Sequence, residues 1–172
     1  MVKPLSWCYH LDTNYLISYL QSSYTHSDEA RHASQSIEHL LYNRYLIRVS
    51  EVVVGEFMKV LVDKKGELGT SPTNLLSELY TFCTHSGVEL YRLDAKRLGR
   101  FTDLVNRIKK KERYIEATDV LIVAYSLVDR RCKGLLTFDQ NLINSRSLKE
   151  LIDECAQDRK GYTITDQPPS RV

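Results

Sequence analysis

Two corners of the chain, far apart in sequence, carry the residue types that metal-dependent chemistry uses. In each corner a short apolar run ends in an aspartate, Asp12 near the start of the chain and Asp139 near its end. The carboxyl ends of the strands in an open α/β sheet border the ligand crevice, so aspartates there face the expected site. Glu56, which interrupts the apolar face of a predicted helix, and Asp119, in the first turn of another, are the further candidates.

Four carboxylates that converge need a positive charge between them. Two carboxylates about 4 Å apart repel each other by about 4 kcal/mol at an effective dielectric constant near 20. No Lys or Arg closely flanks Asp12 or Asp139, and no pair of histidines has metal-ligand spacing. An all-oxygen ligand set suits Mg²⁺ or Mn²⁺ and disfavours zinc. Such ions can activate water and stabilise the attacking and leaving oxygens of a phosphoryl displacement, so the acids predict metal-assisted phosphodiester hydrolysis.

Each acid also has a purely structural interpretation. An aspartate after a strand is commonly a turn former or a helix cap, and Asp119 could simply offset a helix dipole. Glu56 is harder to explain in this way, because buried carboxylates are rare without a partner. Asp94 and Glu51 also sit at predicted helix starts, and we assign both to capping.

Short polar residues stand beside the two strand-end acids. Thr13, Asn14 and Thr137 could hold the carboxylates in place or bind metal-bound water, and turn and cap chemistry explains them equally well. His10 shares the predicted strand face of Asp12. We expect it to be a histidine satisfied inside the core, and it is left out of the site.

Length and composition indicate one globular domain. The chain has 172 residues, of which 42% are hydrophobic and 27% charged. We expect a single domain over residues 1–166 and a flexible C-terminal tail over 167–172. No window approaches the roughly 18 apolar residues of a membrane span, and no secretory signal is visible at the N-terminus. A cytoplasmic location is expected.

The cysteines and the overall charge carry little information by themselves. The four cysteines are widely separated and form no C-x-x-C motif, which argues against a zinc ribbon and against a disulfide framework. A net charge of +2 neither requires nor excludes a nucleic-acid partner. Only local clusters of charge can therefore indicate whether the chain binds nucleic acid.

Hydrophobic periodicity predicts strands that alternate with helices. This pattern is typical of a parallel sheet covered on both faces. We expect an α/β fold with three layers, α/β/α, and a central, mostly parallel sheet of four to five strands. The predicted strands are 7–11, 45–49, 88–93, 134–138 and an edge strand at 162–165; the predicted helices are 13–21, 27–42, 50–64, 71–85, 94–113, 118–131 and 147–157.

Four segments of the chain together resemble the PIN-domain family. They are residues 10–17, 50–57, 117–124 and 135–142, and they occur in the family's order. The family consists of metal-dependent ribonucleases and includes the VapC toxins of VapBC toxin–antitoxin pairs. No single segment is specific, but the four in order make the resemblance meaningful over most of the chain.

The resemblance implies a doubly wound, Rossmann-like fold with an acidic Mg²⁺ or Mn²⁺ site. Its catalytic and metal-binding acids would be Asp12, Glu56, Asp119 and Asp139, assisted by Thr137. Some members carry another acid two positions after the last aspartate, where this chain has Asn141. A second metal site would therefore be weak.

The resemblance also implies an RNA substrate, a homodimer and, for a toxin, a cognate antitoxin. Clustered basic residues could follow a phosphate backbone, although solvated helix ends explain them equally well. The candidates are Lys109, Lys110, Lys111, Arg113, Arg130 and Arg131. Additional length around 21–43 and 66–87, compared with a minimal toxin, leaves open an RNA-processing enzyme without an antitoxin.

Three other functions remain as alternatives. A PIN-like protein could bind RNA or a partner without cutting. A receiver-like regulator would need adjacent acids after its first strand and a lysine after a late strand, and this chain has Asp12 alone. An aspartyl phosphatase would need Asp-x-Asp where Asp12, Thr13 and Asn14 stand.

Overall fold

The computed structural model describes residues 7–64, 66–155 and 161–168. Its centre is a sheet of five strands, all parallel, in the order β3-β2-β1-β4-β5. The predicted α/β class with a parallel sheet flanked by helices is confirmed. The strands are β1 (Cys8–Leu11), β2 (Leu46–Ser50), β3 (Val88–Tyr91), β4 (Cys132–Leu136) and β5 (Thr163–Thr165).

Helices connect the strands, and their starts follow the capping signals of the sequence. The side chains of Ser27, Ser50 and Ser71 each accept a hydrogen bond from the backbone N–H three residues on, as N-cap residues do. No helix among the described residues is long and apolar enough to cross a membrane. The helices are α1 (Thr13–Gln21), α2 (Asp28–Tyr42), α3 (Glu51–Asp63), α4 (Pro72–Thr84), α5 (Leu98–Lys111), α6 (Ala117–Val128), α7 (Gln140–Asn144) and α8 (Arg146–Cys155).

Several predicted boundaries are wrong, and two of the errors fall where a polar side chain ends a strand or a helix. The strand predicted at 134–138 is β4, two residues earlier, because the Thr137 hydroxyl turns the chain by accepting the N–H of Asp139 at 2.9 Å. The helix predicted to reach residue 131 ends at Val128, because Asp129 is extended and buried against other strands. Helix α7 was not predicted.

Two predictions fall partly outside the described residues. The helix predicted at 147–157 is α8 up to Cys155, and residues 156 and 157 lie outside. The tail predicted at 167–172 lies outside from residue 169 onward.

The helix predicted from Asp94 begins with a single 3₁₀ turn, Ala95–Arg97, capped by the Asp94 carboxylate, before α5 continues it.

The core lies between the sheet and the helices. The most apolar helix, α6, is buried along almost its whole length, as its sequence predicts. Fully burying an aliphatic side chain contributes about 1.5–3 kcal/mol, so α6 anchors this face of the fold. It also carries Asp119 in its first turn. The burial of α6 thereby sets the position of that acid.

The strand order creates a crevice beside β1. The chain runs from β1 to β2 and β3 on one side, and returns to place β4 and β5 on the other. In open α/β sheets, ligands bind at such a switch point, outside the carboxyl ends of the strands. Asp12 directly follows β1, and Thr137 directly follows β4. The topology by itself therefore brings the two acidic corners together.

Replacement of Gly134 by alanine is expected to destabilise the fold by about 1–3 kcal/mol, the usual cost of overpacking. A Cβ there would lie 2.6 Å from the Thr163 carbonyl oxygen and 3.1 Å from the Tyr9 ring. Gly55, inside α3, is the matched control, because a Cβ there meets nothing within 4 Å. Gly55→Ala should stabilise by about 0.5–1 kcal/mol. Chemical denaturation of both variants tests this, and equal stabilities would contradict the packing described.

Candidate active site

Asp12 is the most buried of the predicted acids. It caps α1, is 3% exposed, and accepts hydrogen bonds from the Thr13 N–H at 2.7 Å and the Thr137 hydroxyl at 2.5 Å. Burial raises its pKa to about 6, against the opposing effect of these two hydrogen bonds. Repulsion from Glu56 and Asp139 raises it further. Asp12 is thus held in one orientation in an environment that disfavours its charge.

Thr13 and Glu56 connect α1 to α3. The Thr13 hydroxyl donates a hydrogen bond to the Glu56 carboxylate, which is partly buried on α3. Glu56 is also near enough to Asp12 and Asp119 to raise the pKa of both. The carboxylate that interrupts the apolar face of α3 therefore points toward the other acids.

Thr137 links the two acidic corners through its single hydroxyl. It donates to Asp12 and accepts the N–H of Asp139. Asn14 supports the same turn by accepting the N–H of Phe138 at 3.1 Å. Asp139 caps α7, where its carboxylate accepts the N–H of Asn141 at 2.7 Å. The three polar residues of the predicted site thus lie in contact with the acids or the turn that carries them.

Asp119, in the first turn of α6, lines the crevice together with the other three acids. It is partly buried, and no described residue donates a hydrogen bond to its carboxylate. Burial raises its pKa to about 7, followed by repulsion from Asp12, Asp139 and Glu56. Within the described part of the chain, Asp12 thus has donors that stabilise its charge and Asp119 has none. Asp12, Glu56 and Asp139 are thus all near enough to Asp119 to repel its charge, so the structure groups the four predicted acids.

The four acids surround an open space. No three of them place one oxygen each within 4.8 Å of the others. Two cavities adjoin the cluster, one of about 880 Å³ between Asp119 and Asp139, and one of about 410 Å³ beside Asp12 and Glu56. Asp119 lines both, so it stands where the cavities meet.

The cavities are more acidic than sequence patterns indicate. Their one cationic side chain among the described residues is Lys64. Lys64 was not predicted, since nothing in its local sequence distinguishes it from an ordinary surface lysine. The same holds for the additional acids that line the cavities, which are Glu29, Glu67, Glu112 and Glu116.

The predicted basic residues separate into two groups. Arg130 and Arg131 lie before β4, at the end of the sheet away from the acids, where the Arg131 carbonyl accepts the N–H of Cys8. The run at the end of α5 lies beside the larger cavity. Within it, Lys109 donates to the Ile115 carbonyl and Lys111 pairs with Glu154.

The donor set fits a hard divalent cation. All four side chains offer oxygen atoms, and burial, with repulsion from the neighbouring acids, raises the pKa values of Asp12 and Asp119. Mg²⁺ keeps several waters and binds directly to only one or two carboxylates. The four carboxylates are spaced more widely than the ligands of a closed cage, and they line open cavities. This spacing is compatible with an ion that keeps several of its waters.

The fold is similar to that of two solved structures, one of VapBC2 and one of VapC20. One match is a chain of VapBC2 from Rickettsia felis, whose crystal structure was solved with a DNA fragment from the VapBC2 promoter. Its TM-score is 0.59 and its sequence identity is 18%. The match covers 91% of this chain and 96% of that one. VapC20 of Mycobacterium tuberculosis, a toxin that cleaves the sarcin–ricin loop, matches with a TM-score of 0.50 and 15% identity. There, 77% of this chain and 91% of that chain are covered.

These likenesses define the fold. The resemblance to PIN-domain VapC toxins that the four sequence segments predict is confirmed at that level. No protein-family model matches the sequence, and no curated protein sequence does either. At 15–18% identity, the chain shares an architecture with VapC proteins while most of its residues differ.

Proposed function

We propose that this protein is a metal-dependent endoribonuclease that hydrolyses RNA phosphodiester bonds at the acidic crevice. The observation that carries the proposal is the grouping of Asp12, Glu56, Asp119 and Asp139 at the topological switch point. Structural likeness to VapC20, an RNA-cleaving toxin, supports the choice of RNA over other phosphodiesters.

Asp12 and Asp119 are the residues best placed to hold Mg²⁺ or Mn²⁺, with Glu56 and Asp139 as further ligands. When bound, such an ion supplies a Lewis acid for the phosphate and lowers the pKa of water. The Thr137 hydroxyl keeps Asp12 oriented, and the Thr13 hydroxyl does the same for Glu56. These hydrogen bonds preorganise the carboxylates, which reduces the cost of arranging them during the reaction.

The acidic crevice must still admit a polyanion. Lys64 in the smaller cavity, and exposed Arg113, whose neighbours Glu112 and Tyr114 line the larger one, are the cations that would contact RNA phosphates. The larger cavity offers amide side chains and the aromatic ring of Tyr114 beside Asp119. A single-stranded segment, with its bases free to stack, is the RNA form these groups suit.

Tyr114→Ala is expected to weaken binding of a single-stranded oligonucleotide about tenfold, since stacking contributes about 1–3 kcal/mol per base. Tyr114 is fully exposed at the rim of the larger cavity. Fluorescence anisotropy in EDTA measures binding without cleavage. Tyr80→Ala, on the surface of α4, is the matched control and should bind normally, as should Tyr114→Trp. Loss of affinity in the Tyr80 variant alone would contradict this site.

The direct test of the function is cleavage of a pool of structured and single-stranded RNA with Mn²⁺, with Mg²⁺ and with EDTA. Wild type should cut only with metal, and Asp12→Asn should be inactive. If both proteins are inert but bind RNA or a partner alike, the acids are structural. The protein would then be a PIN-like binding protein that does not cut.

We further propose a homodimer and a cognate antitoxin as partners, and a cytoplasmic location. The likeness to a chain of the VapBC2 complex supports the antitoxin. Co-expression with the product of a small neighbouring reading frame, followed by size-exclusion chromatography, tests both partners. A protein that is active, monomeric and not inhibited by any such product would instead be an RNA-processing enzyme.

A further inference from the structure

A second cluster of ligand-type side chains lies within the core, apart from the acidic crevice. Cys8 and Cys132 are paired in register on the neighbouring strands β1 and β4, and His10 follows Cys8 by two residues. The two sulfur atoms and one imidazole nitrogen all lie within 4.8 Å of one another. Exposure of the three residues is 1% or less. Two thiols and an imidazole therefore converge in a space closed to solvent.

Asp129 borders this cluster. Its Oδ2 atom lies 3.1 Å from the Cys8 Sγ and 3.0 Å from the His10 Nε2. Asp129 is itself 1% exposed. It is brought there by the turn between α6 and β4, which ends α6 earlier than its sequence predicts. A carboxylate from the turn before β4 thus contacts two of the three ligand-type side chains.

We propose that Cys8, His10, Cys132 and Asp129 form a structural zinc site. Zinc takes four tetrahedral ligands from cysteine, histidine and carboxylate side chains, and closed four-ligand sites are structural. Thiolates select zinc over Mg²⁺ and Mn²⁺, so this site and the acidic crevice would take different metals. In a tetrahedral site with Zn–S bonds of about 2.3 Å, ligand atoms are roughly 3.8 Å apart. The ligand atoms of Cys8, His10 and Cys132, all within 4.8 Å of one another, are close to this spacing.

The surrounding charges balance in this arrangement. Zinc binding displaces the thiol protons of Cys8 and Cys132 to solvent, and His10 binds as neutral imidazole. Two thiolates and the Asp129 carboxylate leave one negative charge after the two positive charges of zinc. Arg48, whose guanidinium donates to Asp129, neutralises it. Glu89, on the other side of Arg48, has a second cationic partner in Arg131 at 3.8 Å.

The site would fasten β1 to β4 at the strand pair that borders the acidic crevice. Its four ligands come from segments that are far apart in the chain, so the metal would oppose separation of the two strands. Metal binding energy at such a site adds directly to folding stability. The inference does not depend on ribonuclease activity, because the proposed ligands are not among the acids of the crevice.

Cobalt substitution of the full-length protein tests the site without any activity measurement. Protein purified under reducing conditions from zinc-supplemented cells should contain about one zinc ion per chain by elemental analysis. Exchange for Co²⁺ should produce thiolate-to-cobalt charge-transfer absorption and the intense visible bands of a tetrahedral ion. Wild-type protein that folds without zinc and gives neither absorption with Co²⁺ would overturn the proposal, even if every cysteine variant fails to fold.

Variants assign the ligands. Cys132→Ser should lose the charge-transfer absorption or reduce it by about half, whereas Cys83→Ser, which alters a thiol on α4, should leave it unchanged. Asp12→Asn should keep the full absorption while losing RNA cleavage, which separates this site from the proposed function. Isolation of a metal-free protein with a Cys8 to Cys132 disulfide under reducing conditions would also overturn it.

Discussion

Asp119→Asn is expected to lower RNA cleavage by at least about 100-fold, the usual scale for loss of one electrostatic contact to the reacting groups. Asp119 stands where the two cavities meet, and it is partly buried among three other carboxylates. An amide would keep its size but remove the charge that attracts the divalent ion. Single-turnover cleavage of a labelled RNA, with Mn²⁺ in excess, measures the effect.

Asp103→Asn is the matched control for this experiment. Asp103 lies on the exposed face of α5, and its carboxylate borders neither cavity at the crevice. The control should cleave at the wild-type rate. If Asp119→Asn cut as fast as Asp103→Asn, the assignment of Asp119 to the active site would be abandoned. Circular dichroism establishes that both variants keep the fold.

Asp119→Asn is also expected to stabilise the metal-free protein at pH 8 by roughly 1–2 kcal/mol. The pKa of Asp119 is about 7, raised from 3.8, so the folded state binds its proton more tightly than the unfolded state. Stability therefore falls as the pH rises from about 4 to about 7, and the ionised carboxylate is a cost at pH 8. The full shift corresponds to about 4 kcal/mol, which partial solvent exposure reduces.

Urea denaturation in EDTA at pH 5 and pH 8 tests whether Asp119→Asn stabilises the protein as the pH rises. Wild type and Asp119→Asn should be close at pH 5, where Asp119 is mostly protonated, and should diverge at pH 8. Saturating Mn²⁺ should reverse the order, since a ligand at 100 times its Kd stabilises wild type by about 2.7 kcal/mol. If wild type were the more stable protein at pH 8 in EDTA, the cost assigned to the ionised Asp119 carboxylate, from burial and from repulsion by the other acids, would be refuted.

Both experiments address one physical property of the crevice, which is the excess of its carboxylates over its cations: among the described residues, Lys64 is the one cation that lines the cavities. A structural role for the acids would place hydrogen-bond donors or basic residues against each of them. Asp12 has such donors, but no described residue donates a hydrogen bond to the Asp119 carboxylate. The ionised Asp119 carboxylate thus lowers the stability of the folded protein, as is typical of groups at functional sites.

The sequence by itself determined most of the secondary structure and both acidic corners. Helix caps such as Ser27 and Ser50, and the apolar run of α6, act over a few residues, so local patterns reveal them. Alternation of strands and helices was enough to predict a parallel sheet. Asp12 could be predicted at the crevice because a strand end next to a helix start has one position in such a fold.

Only the tertiary structure decided how distant residues meet. Thr137 and Asp12 are 125 positions apart, and Cys8 and Asp129 are 121 apart, yet each pair is in hydrogen-bond contact. Four widely spaced cysteines gave no sign of the proposed zinc site, because Cys8 and Cys132 are brought together only through the parallel pairing of β1 with β4. Periodicity reports which face of an element is buried. Which strands become neighbours, and in what register, depends on packing summed over the whole chain.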